Sequence, residues 1–143
     1  VNDFPVAGEE IPPLFAPQVS EGKLAEFAVA SGDDNPIHLD PAVAIAAGHE
    51  HVIAHGMLAM AYLGRFVGDW AARERIRSLQ ARFVAPIPLG SVPTCAGRVL
   101  KVTDGDGERL VRLALTVKIE DGTTAVRGEA VVAFPPSAPS GTQ

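Results

Sequence analysis

Cysteine, aromatic side chains and surplus positive charge are all scarce in this sequence of 143 residues, and each shortage excludes a class of protein. A single cysteine, Cys95, can build neither an intramolecular disulfide framework nor a multi-cysteine zinc ribbon. A chain that needs no disulfide does not depend on an oxidising compartment, which favours the cytoplasm. Twelve Lys and Arg against seventeen Asp and Glu give a net charge of −5, so a nucleic-acid footprint of clustered bases is not expected. No apolar run reaches the roughly 18 residues needed to span a bilayer. The opening Val1-Asn2-Asp3-Phe4-Pro5 also lacks the basic and apolar regions of a signal peptide. No internal repeat is present.

The sequence does supply enough apolar material to fold. Hydrophobic residues make up 47% and charged residues 20%, which excludes a disordered chain. The length suits one domain, expected over residues 1–134, that buries roughly two-thirds of its unfolded surface. Charge is unevenly placed: residues 1–50 carry nine acids and one base, and the rest carry eight acids and eleven bases. A mildly basic second half on an acidic protein suits an anionic small molecule better than a polyanion.

The first 19 residues, with Pro5, Pro12, Pro13 and Pro17, read as extended chain with at most one edge strand. Ser20 has the chemistry of a helix N-cap, and Leu24, Phe27 and Ala28 follow at helical spacing. Ser31-Gly32 ends that helix. Asp40-Pro41 starts another, which stops by Gly48. The longest helical stretch runs from His55 to about Ala72, with Met57, Leu58, Ala61, Tyr62, Phe66 and Trp70 as its expected core face and Gly56, Gly64 and Gly68 permitting close approach. Four strands are expected after it, at 76–84, 92–103, 110–119 and 124–134, with turns at Asp104-Gly105-Asp106-Gly107 and a two-residue hairpin at Asp121-Gly122. The Pro-rich residues 135–143 read as a disordered tail. Helices followed by a run of antiparallel strands give an α+β fold in which one long helix covers a sheet, and free sheet edges invite pairing of protomers.

All four histidines, His38, His49, His51 and His55, fall within 18 residues, alongside Asp33, Asp34 and Asp40. His49, His51 and His55 offer imidazoles to a metal, but their spacing matches no familiar zinc pattern, and no metal site is assigned. The segment Ser31-Gly32-Asp33-Asp34-Asn35-Pro36-Ile37-His38 is sharper. A carboxylate and an imidazole five residues apart, across a Pro-constrained turn, can converge on one water molecule for general acid–base work. The competing reading is structural: a helix end, an Asx-turn and a second N-cap, with His38 as a satisfied core group. Ile53-Ala54-His55-Gly56-Met57-Leu58 adds a helix start whose free N–H groups can bind an oxygen that becomes negative. An acid–base pair beside an oxyanion site is a kit for chemistry next to a carbonyl.

Ser-Gly-Asp-Asp-Asn-Pro-Ile-His at 31–38 and Ala-His-Gly-Met-Leu at 54–58 together resemble the MaoC-like, R-specific enoyl-CoA hydratases and 3-hydroxyacyl-thioester dehydratases. The resemblance extends to Arg-Phe-Val-Ala-Pro-Ile-Pro-Leu-Gly at 82–90 and Gly-Glu-Ala-Val-Val at 128–132. It implies a hot-dog fold, in which an antiparallel sheet wraps a long helix, usually assembled as dimers. It implies Asp33 and His38 as the catalytic pair, Asn35 as the residue that orients the loop or the water, and the Gly56 N–H as oxyanion donor. Met57 and Arg82 join Gly56 and Asn35 as expected substrate contacts, and Arg65, Arg73, Arg75 and Arg77 are weaker candidates for meeting phosphates. Gly64 stands where some members carry an assisting Ser, and its small size is expected to widen an acyl tunnel.

The reaction so implied is reversible hydration of a trans-2-enoyl thioester to an R-3-hydroxyacyl thioester. No cofactor is expected beyond the thioester of CoA or acyl carrier protein that is itself the substrate. The partner is expected to be a second copy of the chain or a different hot-dog subunit. A hot-dog thioesterase is the alternative reaction. Cys95 is expected in the core, and Asp34 and Asp40 in a turn and a cap.

Overall fold

The computed structural model describes residues 4–136, so most of the Pro-rich tail, residues 137–143, lies outside the described residues. Five strands and three α-helices follow in the order β1 (Glu10–Phe15), α1 (Glu21–Ser31), α2 (Pro41–Ala46), α3 (Gly56–Ala71), β2 (Ile76–Phe83), β3 (Thr94–Gly105), β4 (Glu108–Lys118) and β5 (Thr124–Phe134), with single 3-10 turns at Pro36–His38 and Arg73–Arg75. The strands form one sheet in the order β1-β3-β4-β5-β2, antiparallel throughout. Helix α3 packs on all five of them. This is the α+β layering expected of a hot-dog fold.

Local chemistry sets the element ends. Ser20 accepts a hydrogen bond from the Lys23 N–H (3.1 Å) and so caps α1, while Gly32, at φ 78°, ends it in the left-handed conformation. Asp40 accepts from the Ala42 N–H at 3.0 Å, with Pro41 at the first helical position. Pro12 and Pro13 fall where the β1–β3 register shifts between Ile11 and Leu14. Their missing N–H groups confine such a strand to an edge, which is where β1 lies.

The central strand β4 alternates strictly, with Val111, Leu113, Leu115 and Val117 buried beneath α3. Helix α3 presents Leu58, Ala59, Leu63, Phe66, Val67 and Ala71 to that surface. The expected face was therefore rotated: Leu58 and Phe66 are buried, but Met57 is 56% exposed and Ala61 is exposed, while Tyr62 and Trp70 sit at the margin. A helix apolar on nearly every side satisfies more than one 3.6-residue stripe, and the sheet chooses among them. Of the glycines expected to permit close approach, Gly68 does so against Arg73, whose Cγ would lie 2.9 Å from an added Cβ. Gly64 leaves ordinary room, with Leu79 at 3.8 Å.

Two turns also differ from expectation in kind. Asp106 and Gly107, at φ 44° and 77°, join β3 to β4 as a two-residue hairpin in which both residues take positive φ. The β4–β5 turn is longer than the Asp121-Gly122 pair, because Ile119 donates to the Thr123 carbonyl at 3.0 Å and leaves Glu120, Asp121 and Gly122 in the loop. Hydrogen bonds from the Thr123 hydroxyl and N–H hold the Asp121 carboxyl below its ordinary range. Cys95 is fully buried on β3, and that burial pushes its thiol up to about 11.

Helix α3 ends at Ala72, a non-glycine residue held at φ 82° whose N–H donates to the Gly68 carbonyl at 2.9 Å. That conformation costs roughly 1–3 kcal/mol, and it reverses the chain into β2. Two glycines that face β2, one tight and one with room, give contrasting expectations. A Cβ at Gly128 would lie 2.7 Å from the Gln80 carbonyl oxygen across the β5–β2 pair. Gly128→Ala is expected to destabilise by about 1–3 kcal/mol through overpacking, whereas Gly64→Ala should gain up to about 1 kcal/mol of helix propensity. Urea denaturation of both variants checks the contrast.

Candidate active site

The segment from the end of α1 to the start of α3 is a chain of short-range turns, and each one aims a side chain. The Ser31 hydroxyl donates to the Phe27 carbonyl (2.7 Å) and accepts from the Asp33 N–H (3.1 Å), which fixes the exit from α1. Asp33 Oδ1 accepts from the Asn35 N–H at 3.2 Å, and Asn35 Oδ1 accepts from the Ile37 N–H at 3.1 Å. These are the Asx-turn and cap of the structural reading. They do not compete with a catalytic role, because they are what points Asp33 toward His38.

His38 is held in a defined state. Its Nδ1 lies 2.9 Å from the Ile53 carbonyl oxygen, which can only accept, so Nδ1 carries the proton of the neutral ring. In that neutral ring Nε2 is an acceptor, and it faces Asp33 Oδ2 at 3.9 Å. That separation is too long for a direct hydrogen bond and suits one water donating to both atoms. The His38 side chain is only 11% exposed and that of Asp33 is 46% exposed, so the pair straddles the boundary between interior and solvent.

His55, weighed from the sequence only as a metal ligand, lies at the centre of this cluster. It is fully buried, stacks on His38 with ring centroids 4.0 Å apart at 26°, and brings its Nε2 within 2.9 Å of the Asp33 carbonyl oxygen. The Phe27 ring meets it edge-on at 4.9 Å. The available signal was its place in the Ala-His-Gly segment, read there only as the approach to a helix start. Gly56 follows as the first residue of α3, and the first N–H groups of a helix have no intrahelical acceptor. A cavity of about 390 Å³ opens beside these groups, lined among others by His38, His55, Gly56, Ala59, Phe83 and Val126. The Phe83 ring lies 3.2 Å from the position a Cβ on Gly56 would take, so the glycine lets the ring approach the helix start.

The remaining candidates are scattered. Met57 extends its side chain toward solvent next to Gly56. Gly64 is absent from the cavity wall, so the cavity beside His38 and His55 owes none of its width to it. Arg82 pairs across the strands with Arg127 on the sheet face opposite Phe83 and lines a separate shallow groove with Gln80, Thr116 and Glu129. Arg65 pairs with Asp69 at 3.6 Å, Arg77 with Glu108 at 2.7 Å, and Arg75 lies 5.1 Å from the Phe134 ring centroid.

The histidines weighed as metal ligands do not converge: His51 pairs with Glu21 at 3.5 Å, and His49 lies on the cavity wall. One ligand atom from each of Asp33, His38 and His55 does lie within 4.8 Å of the others. However, the two stacked rings, only 26° apart, hold their in-plane lone pairs side by side rather than aimed at a common centre. The donor set fits proton and water chemistry better than a resident cation.

Comparison with known proteins gives the chain a family and a fold. Residues 7–121 match the MaoC-like domain. The chain is 31% identical over 115 residues to the (R)-specific enoyl-CoA hydratase of Aeromonas caviae, covering 79% of this chain and 84% of that protein. It is 29% identical over 121 residues to 3-hydroxyacyl-thioester dehydratase Z of Mycobacterium tuberculosis, covering 80% of each. The solved structure of the (R)-hydratase from A. caviae superposes with a TM-score of 0.81 at 27% identity, covering 94% of this chain and all of that one, and the fold is thereby a hot-dog.

The contact between Gly56 and Phe83 can be tested without any substrate. Gly56→Ala should cost about 1 kcal/mol in the wild-type background through overpacking. The same change in a Phe83→Ala background should cost at least about 0.5 kcal/mol less, the signature of residues in direct contact. Urea titrations of the four proteins in this cycle supply the coupling.

Proposed function

We propose that this chain, which belongs to the MaoC-like domain family, hydrates trans-2-enoyl thioesters of CoA or acyl carrier protein to R-3-hydroxyacyl thioesters and catalyses the reverse dehydration. The observation that carries this reading is the pair of acceptors, Asp33 Oδ2 and His38 Nε2, facing each other at 3.9 Å beside the start of α3. The (R)-specific hydratase and the thioester dehydratase among its relatives support the reaction class.

A water held between the two acceptors has its oxygen free to attack. In hydration that oxygen bonds to C3 of the enoyl group, and the π electrons shift toward the thioester carbonyl. One water proton passes to the dyad and is returned to C2 on the same face, so the dyad ends as it began and the addition is syn. The negative charge that develops on the thioester oxygen is met by the Gly56 N–H and the positive end of α3. Dehydration runs the same steps backward. Asn35 serves by pinning the loop, since its N–H holds Asp33 and its side chain caps the turn that carries His38. Arg82 and Arg127, exposed and adjacent on the outer face, are placed to attract an anionic handle rather than to touch the reacting atoms.

Edge strand β2 leaves Phe83 and Val84 about half exposed at 52% and 50%, beside the cavity they line. An apolar edge of that kind is a seam for strand pairing. We read it as the contact with a second hot-dog subunit, identical or not. Activity of the purified chain alone would favour the identical one.

Asp33→Asn should fold as the wild type and lose about 10²–10⁴ in turnover, the usual size of an acid–base contribution. Loss of enoyl absorbance with crotonyl-CoA measures hydration, and a thiol reagent in parallel detects hydrolysis. Hydration at near wild-type rate by the Asn variant, or free CoA released with no hydroxyacyl product, would sink the proposal.

A further inference from the structure

His55 is buried, polar and unused by the reaction just described, yet it touches every part of the site. Its Nε2 lies 2.9 Å from the Asp33 carbonyl oxygen, its ring stacks on His38 at 4.0 Å, and it immediately precedes Gly56 at the N-cap of α3. It makes no capping hydrogen bond of its own there. Because a carbonyl oxygen only accepts, Nε2 carries the proton, and Nδ1 is left as a buried acceptor with no partner among the described residues. A buried unpaired acceptor lowers stability, and a phenyl ring of similar size would avoid that cost. Space-filling alone therefore does not account for an imidazole at this position.

We infer that His55 is a positioning residue of the dyad, which it serves by holding the Asp33 main chain through Nε2–H. The two stacked imidazoles adopt opposite tautomers. His38 donates from Nδ1 to the Ile53 carbonyl, and His55 donates from Nε2 to the Asp33 carbonyl. Each ring is thus pinned to a different stretch of backbone, and of the two rings only His38 is left with an acceptor facing Asp33 Oδ2. The titratable groups around His55 are Asp33 and His38, with His49 on the wall of the same cavity, while α1, β2 and β5 contribute Phe27, Phe83 and Val126. The inference deepens the hydratase reading and rests on it for its kinetic arm only.

Two variants separate positioning from packing. His55→Phe keeps an aromatic ring for the stack but has no donor, and His55→Gln keeps a donor able to reach the Asp33 carbonyl but has no ring. With crotonyl-CoA, His55→Phe should lose at least about tenfold in kcat with KM within about twofold, as expected when a reacting group drifts from its productive geometry. His55→Gln should recover most of that loss. A space-filling role predicts the opposite order, so a Phe variant equal to or better than the Gln variant overturns the inference. Nitrogen-15 NMR of the histidine-labelled wild type gives a second test that needs neither activity nor a folded variant. It should show His55 protonated on Nε2 and His38 on Nδ1. A His55 ring protonated on Nδ1 overturns the inference even if the enzyme hydrates enoyl thioesters, and the expected tautomers in a chain without that activity would count against the reaction assigned, not against the contact.

Discussion

Burial of α3 against the sheet is the constraint from which the rest of the molecule follows. Six apolar residues along one side of that helix meet the inner faces of the strands, and a core of this kind is what makes ordering the chain favourable. Once α3 is seated, its N-terminus has a fixed position. Gly56 and His55 are carried to one end of the sheet, beside Phe83 of β2 and Val126 of β5. The functional end of the helix and its apolar flank are therefore placed by a single event. The strained Ala72 lies at the other end of α3, away from the cavity, where its conformation is part of the chain reversal and not of any chemistry.

Within that frame the site is built mainly by backbone atoms. Carbonyl oxygens of Ile53 and Asp33 hold the two imidazoles, and main-chain N–H groups of Asn35 and Ile37 hold the carboxylate and the amide. Side chains that answer to backbone have little freedom to drift, which is the condition for holding one water in a reactive pose. It also explains how an exposed loop with no α-helical or strand structure from Gly32 to Asn35 can carry acid–base groups. The loop is short, and the Asp33 N–H, the Asp33 carboxylate and the Asn35 amide oxygen are each engaged with a neighbour two residues away.

Much of this was legible in the sequence because the signals were local. Ser20, Gly32 and Asp40 announced element ends through their own side-chain or conformational chemistry, and strict alternation in β4 announced a strand with one buried face. The approach of Asp33 to His38 was legible in part for the same reason, since the turns that carry both residues lie within residues 31–38, although the Ile53 carbonyl that holds the His38 ring does not. What escaped was long-range. Nothing near Leu58 or Met57 says which side of an apolar helix the sheet will take. Nothing near Arg82 reveals that it will face away from a cavity to which its neighbour Phe83 contributes. His55 escaped for a subtler reason: its partners lie 22 residues upstream at Asp33 and 17 upstream at His38, so its importance exists only once the chain has folded. The hairpin at Asp121 illustrates a smaller case, in which the Asp-Gly signal was correct but the partner carbonyl at Thr123 added a residue to the loop.

The free edge of β2 joins two properties in one stretch of chain. Phe83 and Val84 belong at once to the outermost strand or its end and to the cavity wall. Any chain that lies along that edge becomes part of the wall of that cavity. Exchanging the neighbour would then reshape the cavity while the loop that carries Asp33 and His38 stays untouched, so the shape of the space and the groups that face it can change separately.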